Sequence, residues 1–130
     1  MFVSMLDLTD IEVTAVRYFR LWYDGTESQK IVEKNFTISL GYLDGYKASR
    51  SFGNMCDLLS KKGRRNLVRR PVSSEWVGMG EHCFCQLIHS SIHFKRDTAM
   101  LICFFLVSPE VAPNLFNLAQ ASGLAFKSMT

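Results

Sequence analysis

The sequence predicts an all-α fold, a single compact domain over residues 1–130 built from five or six short helices. Apolar residues recur at intervals of three and four over most of the chain, which is the period of an amphipathic helix. The 48% hydrophobic and 21% charged fractions are those of an ordinary globular domain. A chain of 130 residues is near the usual size of one domain and can bury one core without disulfides.

The first helix is predicted to begin after Thr9, because Thr9 and Glu12 form a capping-box pattern. An apolar stripe at helical spacing follows, made of Ile11, Ala15, Phe19 and Trp22. The polar side chains of Asp10, Arg17 and Arg20 are expected to point away from this stripe. Asp24 and Gly25 predict the end of the helix.

Residues 27–43 fit either a helix or a strand ending in a hairpin turn at Asp44 and Gly45. The charges at Lys30, Glu33 and Lys34 favour a helix, at least for the first half. A clearer helix follows, with one apolar face made of Phe52, Met55, Cys56 and Leu59. Lys61 and Lys62 occupy its last turn, where cations favour the helix dipole, and Gly63 is expected just beyond it.

The middle of the chain predicts an irregular basic connector. Residues 66–70 and 75–77 tolerate β structure and are separated by a turn-rich segment, so they predict either a small two-stranded ribbon or an extended loop. Residues 78–81 contain two glycines, which predict a further interruption of regular secondary structure.

The sequence of residues 84–107 is compatible with two structures. Two helices are favoured, with Asp97 as N-cap of the second, but the alternative is an α+β domain with a hairpin over this range. Ser108 and Pro109 then predict a turn, and the last helix is expected to begin near Pro113. Gly123 is expected to end it, and residues 124–126 to form a short packed tail.

Short motifs are spread over the second half of the chain. They are Gly63-Arg64-Arg65-x-Leu67-x-Arg69, Val77-Gly78-x-Gly80-Glu81, Asp97-x-Ala99-Met100, Leu115-x-x-Leu118-Ala119 and Gly123-Leu124-Ala125-Phe126. In this succession the chain resembles a group of small, uncharacterised helical bacterial proteins. The resemblance implies helical structure over residues 82–122 and implies no activity.

The strongest functional feature is a run of six cations in ten residues. The run holds Lys61, Lys62, Arg64, Arg65, Arg69 and Arg70 and contains no acidic residue. The whole chain has a net charge of +3, so the rest of it carries −3 and the positive charge is local. A local basic patch on an acidic body favours an acidic partner at that patch. Arginines there can bind carboxylates of a protein or phosphates of a nucleic acid.

A weaker feature is a set of possible metal or heme ligands. On a helix, His82, Cys85, His89 and His93 fall on one side, and the i, i+4 pair of histidines can reach one metal ion. A cysteine ligand favours zinc or copper. The set lacks an acidic base and a distant third ligand, so a solvated polar face is the competing interpretation.

No catalytic motif is present, so the sequence predicts that the protein is not an enzyme and needs no cofactor. The start of the chain lacks the pattern of a signal peptide, and no apolar run is long enough to span a bilayer. The four cysteines are therefore expected to be reduced thiols in a cytoplasmic protein.

The function predicted from these features is that of a small cytoplasmic adaptor or regulatory protein, which binds a protein partner through the basic run and does not enter a membrane. A nucleic-acid-binding regulator that uses the same run is the first alternative, and a metal- or heme-responsive protein is the second. The 12% aromatic content also leaves a homodimer open.

Overall fold

The computed structural model describes residues 3–130 and contains six α-helices and one two-stranded sheet. The helices are α1 (Asp10–Tyr23), α2 (Thr26–Leu40), α3 (Tyr42–Lys62), α4 (Met79–Ile92), α5 (Arg96–Leu106) and α6 (Ala112–Met129). The strands are β1 (Val3–Ser4) and β2 (Trp76–Val77). The all-α prediction is confirmed, and the hairpin alternative for residues 84–107 is wrong because α4 and α5 occupy that range.

Both ends of α1 form as the sequence predicts. The Thr9 side chain accepts a hydrogen bond from the Glu12 amide at 3.3 Å, and the Glu12 carboxylate accepts one from the Thr9 amide at 2.9 Å. This capping box satisfies backbone donors that the first turn leaves without partners. Asp24 is the C-cap, and Gly25 follows with φ +127°, a conformation that favours glycine.

Helices α2 and α3 are separated by Gly41 alone, whose φ of +89° reverses the chain direction. The hairpin turn considered at Asp44 and Gly45 is therefore wrong, because both residues lie in the first turn of α3. Gly45 is needed there for packing, since a Cβ atom on it would lie 2.6 Å from the Thr37 Cα atom of α2.

The core is centred on an aromatic cluster around Phe52 of α3. Its ring centroid lies between 5.7 and 6.3 Å from five other rings, which are those of Tyr18, Trp22, Phe36, Phe84 and Phe126. These rings come from α1, α2, α4 and α6, so one cluster ties five helices together. Such aromatic pairs contribute about 0.5–1.5 kcal/mol each beyond the burial of their area.

Three local expectations in the middle of the chain are wrong. The ribbon alternative is wrong, because strand β2 pairs antiparallel with β1 near the chain start; residues 66–70 have no regular secondary structure, as the loop alternative predicts. Residues 78–81 do not interrupt the secondary structure. They begin α4, because Gly78 is its N-cap and the Glu81 carboxylate accepts a hydrogen bond from the Gly78 amide. The N-cap of α5 is Lys95, and Asp97 lies inside the first turn.

The last helix begins as predicted, with Pro113 in its first turn, but it does not end at Gly123. A Cβ atom at Gly123 would lie 2.7 Å from the Cγ2 atom of Ile92 and 3.1 Å from that of Ile88. The glycine thus allows α6 to pack closely on α4, and the helix continues to Met129. Phe126, expected in a tail, is fully buried in the core.

Within residues 3–130, none of the helices combines the length and the apolarity needed to cross a membrane.

The contact at Gly123 predicts that Gly123→Leu lowers the free energy of unfolding, although leucine is a good helix former. Overpacking a close helix–helix contact costs about 1–3 kcal/mol. The matched control is Ala121→Leu, which places the same side chain on the exposed face of α6. Urea unfolding of both variants measures the difference. Equal stability of the two variants would contradict the packing at Gly123.

Candidate functional site

The basic run of residues 61–70, called here the basic ridge, lies on the surface. The side chains of Lys61, Lys62, Arg64, Arg65 and Arg69 are exposed, and Arg70 is half-buried. Those five exposed cations make no ion pair with any residue between 3 and 130. Their charge is therefore not neutralised by a salt bridge within the described part of the chain.

A buried ion pair lies beneath the ridge. Arg20 of α1 and Glu81 of α4 are both fully buried, with 2.6 Å between Nε and Oε2 and 3.0 Å between Nη2 and Oε1. This geometry is bidentate. Burying two charges is costly unless they are paired and their remaining hydrogen-bonding groups are also satisfied.

The remaining groups of the pair bind the backbone of the connector. Arg20 donates to the carbonyl oxygens of Ser74 and Trp76, each at 2.7 Å. The Glu81 carboxylate accepts from the amides of Arg70 at 3.0 Å and Gly78 at 3.1 Å. Four backbone groups between residues 70 and 78 are thus fixed to a single ion pair, although this segment contains only the two-residue strand β2.

The start of the ridge is held at the end of α5. The Arg64 amide donates to the Leu106 carbonyl at 2.8 Å, and Gly63 forms an antiparallel bridge with Val107. The guanidinium carbon of Arg65 lies 3.8 Å from the centroid of the Phe105 ring, a cation–π contact. The ridge is therefore anchored at both of its ends.

A groove of about 500 Å³ lies between the ridge and the start of α4, and is called here the ridge groove. Its apolar lining includes Val68 and Met79, whose side chains are 74% and 71% exposed. Arg65, Arg69 and Arg70 also line it. The surface of the groove thus combines positive charge with solvent-exposed apolar side chains.

Cys83 also lines the ridge groove and is the most accessible of the four thiols. Burial raises its pKa, and the neighbouring Arg65 charge opposes that rise. The other three thiols are buried. Burial raises the pKa of Cys103 to about 12 and raises those of Cys56 and Cys85 strongly. Thiols in such surroundings are poor nucleophiles.

Three of the four predicted metal ligands, His82, Cys85 and His89, lie on α4, and His93 is its C-cap. The Cys85 thiol is buried and donates to the His82 carbonyl at 3.3 Å. The rings of His89 and His93 stack with centroids 4.1 Å apart. Burial and the His93 charge lower the pKa of His89. Over residues 3–130, no group of three or more His, Cys, Asp or Glu side chains is arranged to hold a metal ion.

The sequence interpretation missed the importance of Arg20. That residue was expected to point away from the core, yet it is fully buried. A signal was available, because Arg20 follows Val16 by four residues and therefore lies on the same side of α1. In the sequence Glu81 was noted only as the last residue of a short motif, and its carboxylate pairs with Arg20.

Comparisons with protein-family models, curated proteins and solved structures found no match to this chain.

The buried pair predicts a non-additive mutant cycle. Arg20→Met should lower the free energy of unfolding by about 3–5 kcal/mol, because it leaves the Glu81 charge buried and uncompensated. The double variant Arg20→Met/Glu81→Leu should lose less than the sum of the two single variants, by about 0.5–3 kcal/mol. Urea unfolding of all four proteins gives this coupling energy. Additive losses would show that the two side chains do not stabilise each other.

The thiol environments predict that one cysteine in four reacts with Ellman's reagent in the folded protein. Cys83 should react, because it alone combines partial exposure with a nearby guanidinium. All four should react after denaturation. Cys83→Ser is the control and should abolish the reaction of the folded protein. A fast-reacting thiol in the folded Cys83→Ser variant would contradict the packing of the other three cysteines.

Proposed function

We propose that the protein is a small, non-catalytic cytoplasmic adaptor that binds an acidic segment of a protein partner through the basic ridge. One observation carries this proposal. The ridge has five exposed cations that form no ion pair within residues 3–130. Its backbone is held by hydrogen bonds at Arg64 and at Arg70. A charged surface that is already ordered loses less conformational entropy on binding than a flexible one.

The composition of the ridge groove supports a protein partner. Arg65 and Arg69 can each form two parallel hydrogen bonds with a carboxylate. Val68 and Met79 provide exposed aliphatic surface beside them, which suits an apolar side chain of the same partner. An acidic peptide segment that carries one or two apolar residues matches both features.

The same groove gives less support to a nucleic acid. Proteins that bind single strands usually stack bases on exposed aromatic rings. In the ridge groove the aromatic residue is Phe105, and the Arg65 guanidinium already covers its ring. Binding of phosphates by the ridge is therefore an outcome to be distinguished by experiment, since guanidinium groups also bind phosphates.

The test measures binding of a fluorescein-labelled peptide of alternating Glu and Leu by fluorescence anisotropy. Arg65→Glu/Arg69→Glu should weaken binding by at least about tenfold, because two charge-assisted contacts are replaced by repulsion. The matched control is Arg17→Glu/Lys34→Glu, which makes the same charge change at exposed positions outside the ridge. Circular dichroism checks that both variants remain folded.

Equal affinity of the two charge-reversal variants would refute the ridge as the binding surface. A Gln and Leu peptide of the same length should bind much more weakly than the acidic one. Labelled single-stranded DNA and duplex RNA are measured at low and high salt. A steeply salt-dependent interaction that exceeds peptide binding would favour the nucleic-acid function instead.

A further inference from the structure

A second cavity lies between helices α2 and α3, with one wall supplied by Trp22 of α1. Its volume is about 360 Å³, within the range of about 300–1,000 Å³ that is typical of small-molecule sites. None of its lining residues belongs to the basic ridge or to the ridge groove. It is called here the α2–α3 cavity, and it is independent of the proposed adaptor function.

The cavity results from three small residues on one face of α3. Gly45, Ser49 and Gly53 follow each other at intervals of four, which places them on successive turns. At Gly45 the backbone of α2 fills the space, and at Gly53 a Cβ atom would lie 2.7 Å from the ring of Trp22. Between these two contacts, Ser49 lines the cavity. Close packing on either side thus defines its position.

The Ser49 hydroxyl has no partner in the described chain. The residue is only 9% exposed, and its Oγ atom makes no hydrogen bond with any group of residues 3–130. An unsatisfied buried hydroxyl costs about 1–3 kcal/mol. The Oγ atom is closed to solvent, but rotation about χ1 would bring it to the cavity wall, where a ligand could satisfy it.

The other walls are aromatic and carry a net negative charge. Trp22 and Tyr46 supply rings, Glu33 and Asp57 supply carboxylates, and Arg50 is the one cation in the lining. The guanidinium of Arg50 lies 5.9 Å from the centroid of the Tyr46 ring. The Tyr46 ring therefore lies at the outer limit of cation–π range from this guanidinium. Aromatic rings with nearby carboxylates are the surroundings that organic cations prefer.

We propose that the α2–α3 cavity binds a small organic cation that carries a hydroxyl group, that is, an amino alcohol or its quaternary ammonium equivalent. The rings of Trp22 and Tyr46 contact the cationic group, and the carboxylates of Glu33 and Asp57 supply opposite charge. The Ser49 hydroxyl, after rotation about χ1, hydrogen-bonds the hydroxyl of the ligand. Arg50 opposes binding through its like charge.

The test uses choline as the probe and 3,3-dimethylbutan-1-ol as its uncharged isostere. Trp76→Phe leaves Trp22 as the single tryptophan, so its fluorescence reports on the cavity directly. Choline should change this fluorescence saturably, and the isostere should bind about tenfold or more weakly because it lacks the charge. In the wild-type chain, choline should also raise the melting temperature, since a ligand of the folded state stabilises it.

Variants at the cavity give effects of opposite sign. Glu33→Gln, Asp57→Asn and Ser49→Ala should each weaken choline binding, whereas Arg50→Gln should strengthen it. Glu27→Gln is the matched control, because it neutralises an exposed carboxylate of α2 that does not line the cavity. Its affinity for choline should equal that of the unmodified chain.

Three results would overturn the proposal. They are the absence of saturable binding together with an unchanged melting temperature, equal binding of choline and its isostere, and loss of binding in Arg50→Gln. The last result, combined with binding of acetate, would assign the cavity to an anion.

Discussion

The guanidinium of Arg20 and the carboxylate of Glu81 meet in the interior, and their hydrogen bonds determine how the two halves of the chain are joined. Helices α1 and α4 bring the two charges together, and the backbone of residues 70–78 satisfies the atoms that remain. An isolated buried charge is very costly, so the pair and the connector form as one unit. The connector has little regular structure, and this network takes the place of a sheet or helix in ordering it.

That order is what gives the basic ridge its proposed role. Like charges repel each other, and the four arginines that follow α3 would sample many arrangements on a flexible loop. Here the Arg70 amide is bound by Glu81 and the Arg64 amide by the end of α5. The charges between them are therefore presented beside a fixed apolar groove. In the proposed adaptor, specificity comes from this combination of carboxylate-binding arginines and apolar surface rather than from charge alone.

The helices could largely be predicted from the sequence because their signals are local. The capping box at Thr9 and Glu12 and the proline in the first turn of α6 depend only on neighbouring residues. Two of the errors arose where a distant contact decides the structure. Gly123 looks like a helix end, but it is the place where α4 touches α6, and Arg20 looks like a surface residue, but its partner is 61 positions away. The ridge was visible in the sequence, whereas the groove and the α2–α3 cavity depend on how helices pack.

Amide hydrogen exchange measures the central claim most directly, because it reports the protection of individual backbone groups. It is applied to the wild-type chain and to Arg20→Met/Glu81→Leu. We predict that the amides of Arg70 and Gly78 are protected in the wild type and exchange much faster in the double variant, while those of α3 and α6 stay protected. Unprotected amides at Arg70 and Gly78 in the wild type, or equal protection in both proteins, would contradict the claim that this ion pair orders the ridge.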